Sequence, residues 1–236
     1  MNYPIIYKDL MDTEWLHSIP KDFTQRMPWQ YLESTINKPA DLYNKNSYDK
    51  LNEYDNGLFE HNLYNSKGIA SADPKTATLV SISHTALDTP DKTQYLYAFE
   101  PVILMIESKL DGLLGKLERA KLNLNLPIGD YDSNTHMFPH KDITDGWCRS
   151  DGDWRYTNPS NFYSCIYYLT DTDGDLFLFD NIEDNEGIYN CDNMRITNRI
   201  TPKENTAVFF NSNTFHAGSY STKKARVCLN LVWEGT

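Results

Sequence analysis

Between Phe99 and Leu117 apolar residues return every three or four positions, at Val102, Ile106, Leu110, Leu113, Leu114 and Leu117, with Glu107, Lys109, Asp111 and Lys116 between them. That spacing puts one apolar stripe on a helix predicted to end near Arg119. Beyond it the period falls to two. Leu122-Asn123-Leu124-Asn125-Leu126 alternates strictly, which predicts a strand with unlike faces. Residues 162–169 are aromatic and β-rich, 176–179 form a continuous apolar run, and Met194, Ile196 and Ile200 sit at even spacing before Pro202. Runs at 206–210, 215–217 and 225–233 complete a series of short strands. Turn signals such as Asp171-Thr172-Asp173-Gly174 and Gly218-Ser219 separate them. With no βαβ alternation, the series predicts a sandwich or barrel behind a supporting helix.

Residues 1–95 read differently. They are polar, rich in Asn, Tyr, Lys and Asp, and only weakly periodic around clusters such as Met27-Pro28-Trp29 and residues 77–82. Short helices, turns and one or two strands are expected there. At 236 residues the chain is expected to be one domain: a variable amino-terminal region (1–95), a supporting helix (96–120) and a β core (121–236).

Composition narrows the partners. A chain 40% hydrophobic and 23% charged is a folded soluble protein, so collagen-like, disordered and coiled-coil readings fail. The formal charge of -11 repels a phosphate backbone, so neither nucleic acid nor an anionic membrane is an expected partner. The amino terminus lacks a signal peptide's basic start and apolar run, and nothing approaches the roughly 18 apolar residues of a membrane span. The expected location is cytoplasmic. Cys148, Cys165, Cys191 and Cys228 form no C-x-x-C pair and read as reduced, structural thiols.

Of the six histidines, His140 has an acidic residue two positions on, Asp142. In an extended segment these side chains share a face and can reach one metal ion. A second histidine, His216, follows an apolar strand, and ten residues later Arg226 lies inside another. An arginine in a half-buried strand needs an anionic partner, because an unpaired buried guanidinium is costly. Two imidazoles and one carboxylate form the facial triad of non-haem Fe(II), which leaves coordination positions open. Arg226, deeper in the same barrel, could hold the far carboxylate of a metal-bound dicarboxylate, 2-oxoglutarate.

In order and spacing, Tyr131, Pro139-His140-Lys141-Asp142, the strand 163–169, Asp173-Gly174-Asp175, His216-Ala217-Gly218 and Arg226 resemble the iron(II)/2-oxoglutarate-dependent oxygenases, most of all their prolyl 4-hydroxylase-like branch. The resemblance implies a double-stranded β-helix (jelly-roll, cupin-like) core. It implies metal ligands at His140, Asp142 and His216, and a co-substrate carboxylate paired with Arg226 and bonded by Tyr131. The implied activity is a dioxygenase that hydroxylates an acceptor (an amino acid, a peptide or another small molecule) and releases succinate and CO2, with ascorbate as accessory reductant. The chain departs from the family at Leu176, where threonine is frequent, and at Met137, where tyrosine is common. The second departure weakens any inference of a prolyl peptide. Two other classes of answer stay open: a non-catalytic β-helix protein binding a small carboxylate or glycan, and a cupin-like metal isomerase or hydrolase. Arg226 separates them.

The remaining candidates read as structural. His136 is expected beside the site rather than in it, Cys165 and Cys228 in the core, and Asp171, Asp173 and Asp175 in a turn rather than a calcium loop. The stretch 143–160 exceeds the usual loop length and carries Trp147, Arg149, Trp154 and Arg155. It is expected to form a lid in which the tryptophans exclude water and an arginine meets an anionic group of the acceptor. The competing reading pairs both arginines with Asp145, Asp151 or Asp153.

Overall fold

Near its amino terminus the chain makes Ile5–Tyr7 (β1), Thr13–Ser18 (α1), Phe23–Arg26 (α2), Gln30–Leu32 (β2), Leu58–Asn65 (β3) and Asp91–Lys92 (β4). In this computed structural model, residues 4–19, 23–32, 58–65, 91–92, 95–130, 132, 134–143, 146–150, 153–157, 159–180 and 194–236 are described. The short amino-terminal elements are held by strands later in the chain, β1 by a strand of the core. α1 starts at Asp12, whose side chain accepts the Trp15 N–H at 2.7 Å.

The central helix, Leu96–Lys109 (α3), buries Leu96, Phe99, Val102, Ile103 and Ile106. It stops ten residues short of the predicted end. The N–H of Leu110 bonds back to Ile106 and Glu107, and Gly112 then takes φ 75, a left-handed turn that favours glycine. The leucines at 113, 114 and 117, read as a continuing helical stripe, instead lead into and along the strand Leu114–Asn125 (β5). Residues 114–120 of the expected supporting helix are therefore sheet.

The remaining strands are Gly146–Ser150 (β6), Asp153–Thr157 (β7), Phe162–Tyr168 (β8), Leu176–Phe179 (β9), Ile196–Ile200 (β10), Thr206–Asn211 (β11), Phe215–Gly218 (β12) and Arg226–Gly235 (β13). The main sheet runs β1-β11-β8-β13-β5-β3-β2, with β4 on β3; the facing sheet is β10-β9-β12. This is a double-stranded β-helix. On one face of the main sheet, Ala120, Leu122, Tyr167, Leu229, Leu231 and Trp233 pack with α3; on the other, Ile166, Tyr168, Val208 and Phe210 meet Leu176 and Leu178 of the facing sheet. Because both faces of the main sheet are covered there, β8, β11 and β13 read as near-continuous apolar runs, whereas β5 alternates.

Asn205 locks the amino-terminal arm to this core. It adopts φ 61, accepts from Met11 N–H and the Tyr167 hydroxyl at 2.8 Å each, and donates to Met11 carbonyl at 2.7 Å. Asn205→Ala leaves a buried N–H and a buried phenol without their partner and strains the backbone. We expect a loss of about 3 kcal/mol, read by urea unfolding.

Candidate metal centre

Residues 137–143 run alongside β12 and are tied to it by backbone bonds: Met137 N–H to Gly218 carbonyl at 2.8 Å, and reciprocal bonds between His140 and His216 at 2.9 Å each. That single antiparallel bridge brings the two imidazoles to a centroid separation of 4.4 Å. Each ring is oriented by its own chain, His140 Nδ1 against Phe138 carbonyl at 3.2 Å and His216 Nδ1 against Thr214 carbonyl at 3.0 Å. A carbonyl can only accept, so Nδ1 carries the proton and Nε2 offers its lone pair. Asp142 Oδ2 lies 3.7 Å from His216 Nε2, and the ligand atoms of His140, Asp142 and His216 fall within 4.8 Å of one another. This donor set can hold one divalent ion.

The carboxylate is prepared for that role. Burial would raise its pKa, but Arg119, the two imidazoles and the Ser164 hydroxyl outweigh burial and hold it well below the usual range. Ser164 donates to Oδ2 at 2.7 Å and is joined to Ser212 at 2.8 Å; Arg119 Nη2 pairs with Oδ1. Withdrawal from water, aided by the neighbouring His216, holds the pKa of His140 down to about 3 despite Asp142. The set therefore has the protonation a metal requires, an anionic carboxylate beside a neutral imidazole.

A cavity open to solvent adjoins this cluster, lined on the main sheet by Lys121, Asn123, Asn125, Ile166 and Tyr168. Arg226 lines it as well, in register with Asn125 of β5. Arg226 is 8% exposed; Nη1 donates to Ser219 carbonyl at 3.0 Å and Nη2 to Asn125 Oδ1 at 2.9 Å. Its Nε, and the Nδ2 of Asn125, are buried without a hydrogen-bond partner. Two buried donors on neighbouring strands, one of them cationic, are placed to bond an anionic acceptor. Tyr168 lines the same space, and burial pushes its phenol up, so the hydroxyl remains protonated and able to donate. Gly218 leaves room for the guanidinium, since a Cβ there would collide with Arg226 Nη1. Gly218→Ala is accordingly expected to displace Arg226 and weaken carboxylate binding at least tenfold while the sheets stay folded, as calorimetry and circular dichroism would read.

The residues 128–233 that carry all these groups but Arg119 and Asn125 match the sequence profile of the 2OG-Fe(II) oxygenase superfamily. The matched segment, a little under half of the chain, is similar to this superfamily. No curated protein matches it in sequence. Among solved structures it is similar to an oxidoreductase of the 2OG-Fe(II) oxygenase family from Burkholderia pseudomallei (10% identity, 98% of this chain and 85% of that one covered, TM-score 0.54). It is also similar to the non-heme alpha ketoglutarate dependent epimerase SnoN from nogalamycin biosynthesis (9% identity, 98% and 78% covered, TM-score 0.53). A Pseudomonas putida prolyl-4-hydroxylase aligns at 13% identity, 98% and 91% coverage and TM-score 0.46.

Within this β core, His140, Asp142, His216 and Arg226 line one cavity. Tyr131 lies outside the described residues. The stretch expected to be a lid loop contains a hairpin: β6 pairs with β7, Trp147 opposite Tyr156, Cys148 opposite Arg155 and Arg149 opposite Trp154. The side chains of these residues are likewise outside the described part of the chain. His136 stands apart from the cluster, with Nδ1 2.8 Å from Met137 carbonyl and its ring edge-on to Phe179. The three aspartates of the turn serve separate partners: Asp171 accepts from Glu204 N–H, Asp173 from Thr222 and Asp175 from Arg199. Leu176 and Met137, the two departures from the family pattern, both line the cavity. Arg119, Ser164, Asn125, Tyr168 and the clearance at Gly218 were not foreseen from the sequence. A signal for the β5 residues existed in the strict alternation, whose polar side faces the cavity.

Proposed function

We propose that this protein is a dioxygenase that hydroxylates a small-molecule or peptide acceptor, with release of succinate and CO2. His140, Asp142 and His216 would hold Fe(II), and Arg226, with Asn125 and Tyr168, the far carboxylate of 2-oxoglutarate. The observation that carries this reading is the pair of buried, partnerless donors, Arg226 Nε and Asn125 Nδ2, in the cavity that also contains the three metal-binding side chains. When bound, Fe(II) with 2-oxoglutarate supplies the oxidising chemistry. The chain's own work is positional. The His140–His216 bridge sets the two imidazoles, Ser164 and Arg119 orient the carboxylate, and Arg226 would hold the co-substrate's far carboxylate. Leu176, Ile166 and Met137 keep the walls between these groups apolar.

Among the described residues no helix is long and apolar enough to cross a membrane. The free, buried thiols of Cys165 and Cys228 accord with a cytoplasmic protein. The test is succinate formation from 2-oxoglutarate with Fe(II) and ascorbate, run against separate pools of amino acids, peptides and nucleosides. Stimulation by one pool, with an acceptor product that has gained one oxygen atom, supports the hydroxylase. An acceptor altered without consumption of 2-oxoglutarate would move the protein to metal isomerase or hydrolase chemistry, and binding without turnover to the non-catalytic class.

A further inference from the structure

Asp142 is gripped from two sides, and the two grips differ. Ser164 bonds Oδ2, the oxygen that also lies 3.7 Å from His216 Nε2 and so faces the other ligands. Arg119 takes Oδ1, and the same Nη2 is anchored to Asn230 Oδ1 at 3.1 Å. Arg119 is the second member of a chain running Asn230, Arg119, Asp142, Ser164 and Ser212 across three adjacent strands and the turn beyond β11. A carboxylate left free beside a divalent ion can offer one oxygen or both. Here one is already engaged by a charge-assisted bond from a cation, the strong class of hydrogen bond.

We infer that Arg119 is a positioning residue that keeps Asp142 a one-oxygen ligand, so that the coordination positions needed by the co-substrate and O2 stay open. This rests on the reading of the site given under Proposed function. Three single-atom donors leave three places on a six-coordinate ion; a carboxylate that closes with both oxygens leaves two. A chelating keto acid needs two, and O2 a third. Arg119 thus acts through Asp142, without touching the ion. The Lys121 ammonium, two residues on in β5, is paired with Glu60 of β3 at 3.3 Å.

The test uses the full chain loaded with Co(II), whose visible ligand-field spectrum reports coordination number, and 2-oxoglutarate titrated without O2. Arg119→Leu is expected to bind Co(II) at least as tightly as the parent, to show an altered spectrum, and to bind 2-oxoglutarate about tenfold more weakly, because the second carboxylate oxygen must be displaced. Arg119→Lys, which keeps a cationic donor, is expected to restore the parent's spectrum. A parental spectrum and parental 2-oxoglutarate affinity in Arg119→Leu would overturn the inference. So would loss of Co(II) affinity with no spectral change, since that is what a merely structural role produces. If Arg119→Leu does not fold, Asn230→Ala removes the guanidinium's other anchor and is read the same way: a shifted spectrum supports the inference and a parental one overturns it. A parent chain that binds Co(II) but whose spectrum ignores 2-oxoglutarate contradicts the functional reading itself, and the inference with it.

Discussion

His216→Ala is expected to lose more than about 100-fold in Fe(II) affinity under anaerobic titration, and with it all 2-oxoglutarate turnover. On the proposed assignment the removed imidazole is one of three protein donors, and even partners one shell further out are worth about 10- to 100-fold. The β core should survive. His216 bridges to His140 through its backbone, which alanine retains, and the adjoining Phe215 and Ala217 remain packed with Phe177 and Phe179. Thermal unfolding by circular dichroism, measured alongside the titration, separates the two effects. An alanine protein with the parent's Fe(II) affinity would take His216 out of the site.

The second large effect belongs to Arg226. Replacing it with leucine removes a fork that would meet the co-substrate carboxylate with charge-assisted bonds, each worth about 1.5 to 3 kcal/mol. Two such bonds predict a loss of at least about 100-fold in 2-oxoglutarate affinity. Arg226→Lys should recover part of it, because the charge remains while the planar geometry is lost. Fe(II) affinity should hardly change, since Arg226 bonds Ser219 and Asn125 and no member of the metal cluster. A leucine variant with the parent's Michaelis constant for 2-oxoglutarate would show that the guanidinium's free edge faces something else.

The strands from Phe162 onward were legible in the sequence because most are apolar runs closed by a turn signal, β10 being read instead from the even spacing of Met194, Ile196 and Ile200, and each is found within two residues of its expected ends. The helix was misjudged at its end for a specific reason. Leu113, Leu114 and Leu117 happen to continue the three- and four-residue spacing, while the residue that breaks the helix, Gly112, is a single glycine whose φ of 75 no periodicity reveals. The strands β1 and β3 owe their existence to pairing with β11 and β5 rather than to any pattern of their own. At the site, His140, Asp142 and His216 could be found from residue type and spacing. Arg119 could not, because its partners, Asp142 before β6 and Asn230 on β13, meet it only in the folded chain. Polar residues alternating with leucine on β5 are most simply read as facing solvent, yet Lys121, Asn123 and Asn125 line the interior cavity.

Whether the three ligands and Arg226 together hold a chelated keto acid is tested by adding 2-oxoglutarate to the Fe(II)-loaded protein in the absence of O2 and recording the visible spectrum. A keto acid that chelates Fe(II) through its carboxylate and keto oxygens produces a charge-transfer absorption that glutarate, lacking the keto group, cannot. That band is expected in the parent, saturating with one equivalent of 2-oxoglutarate, requiring far higher concentrations in Arg226→Leu and absent in His216→Ala. A parent protein that binds Fe(II) yet gives no band with 2-oxoglutarate, or a band unaffected by loss of Arg226, would contradict this assignment of the site.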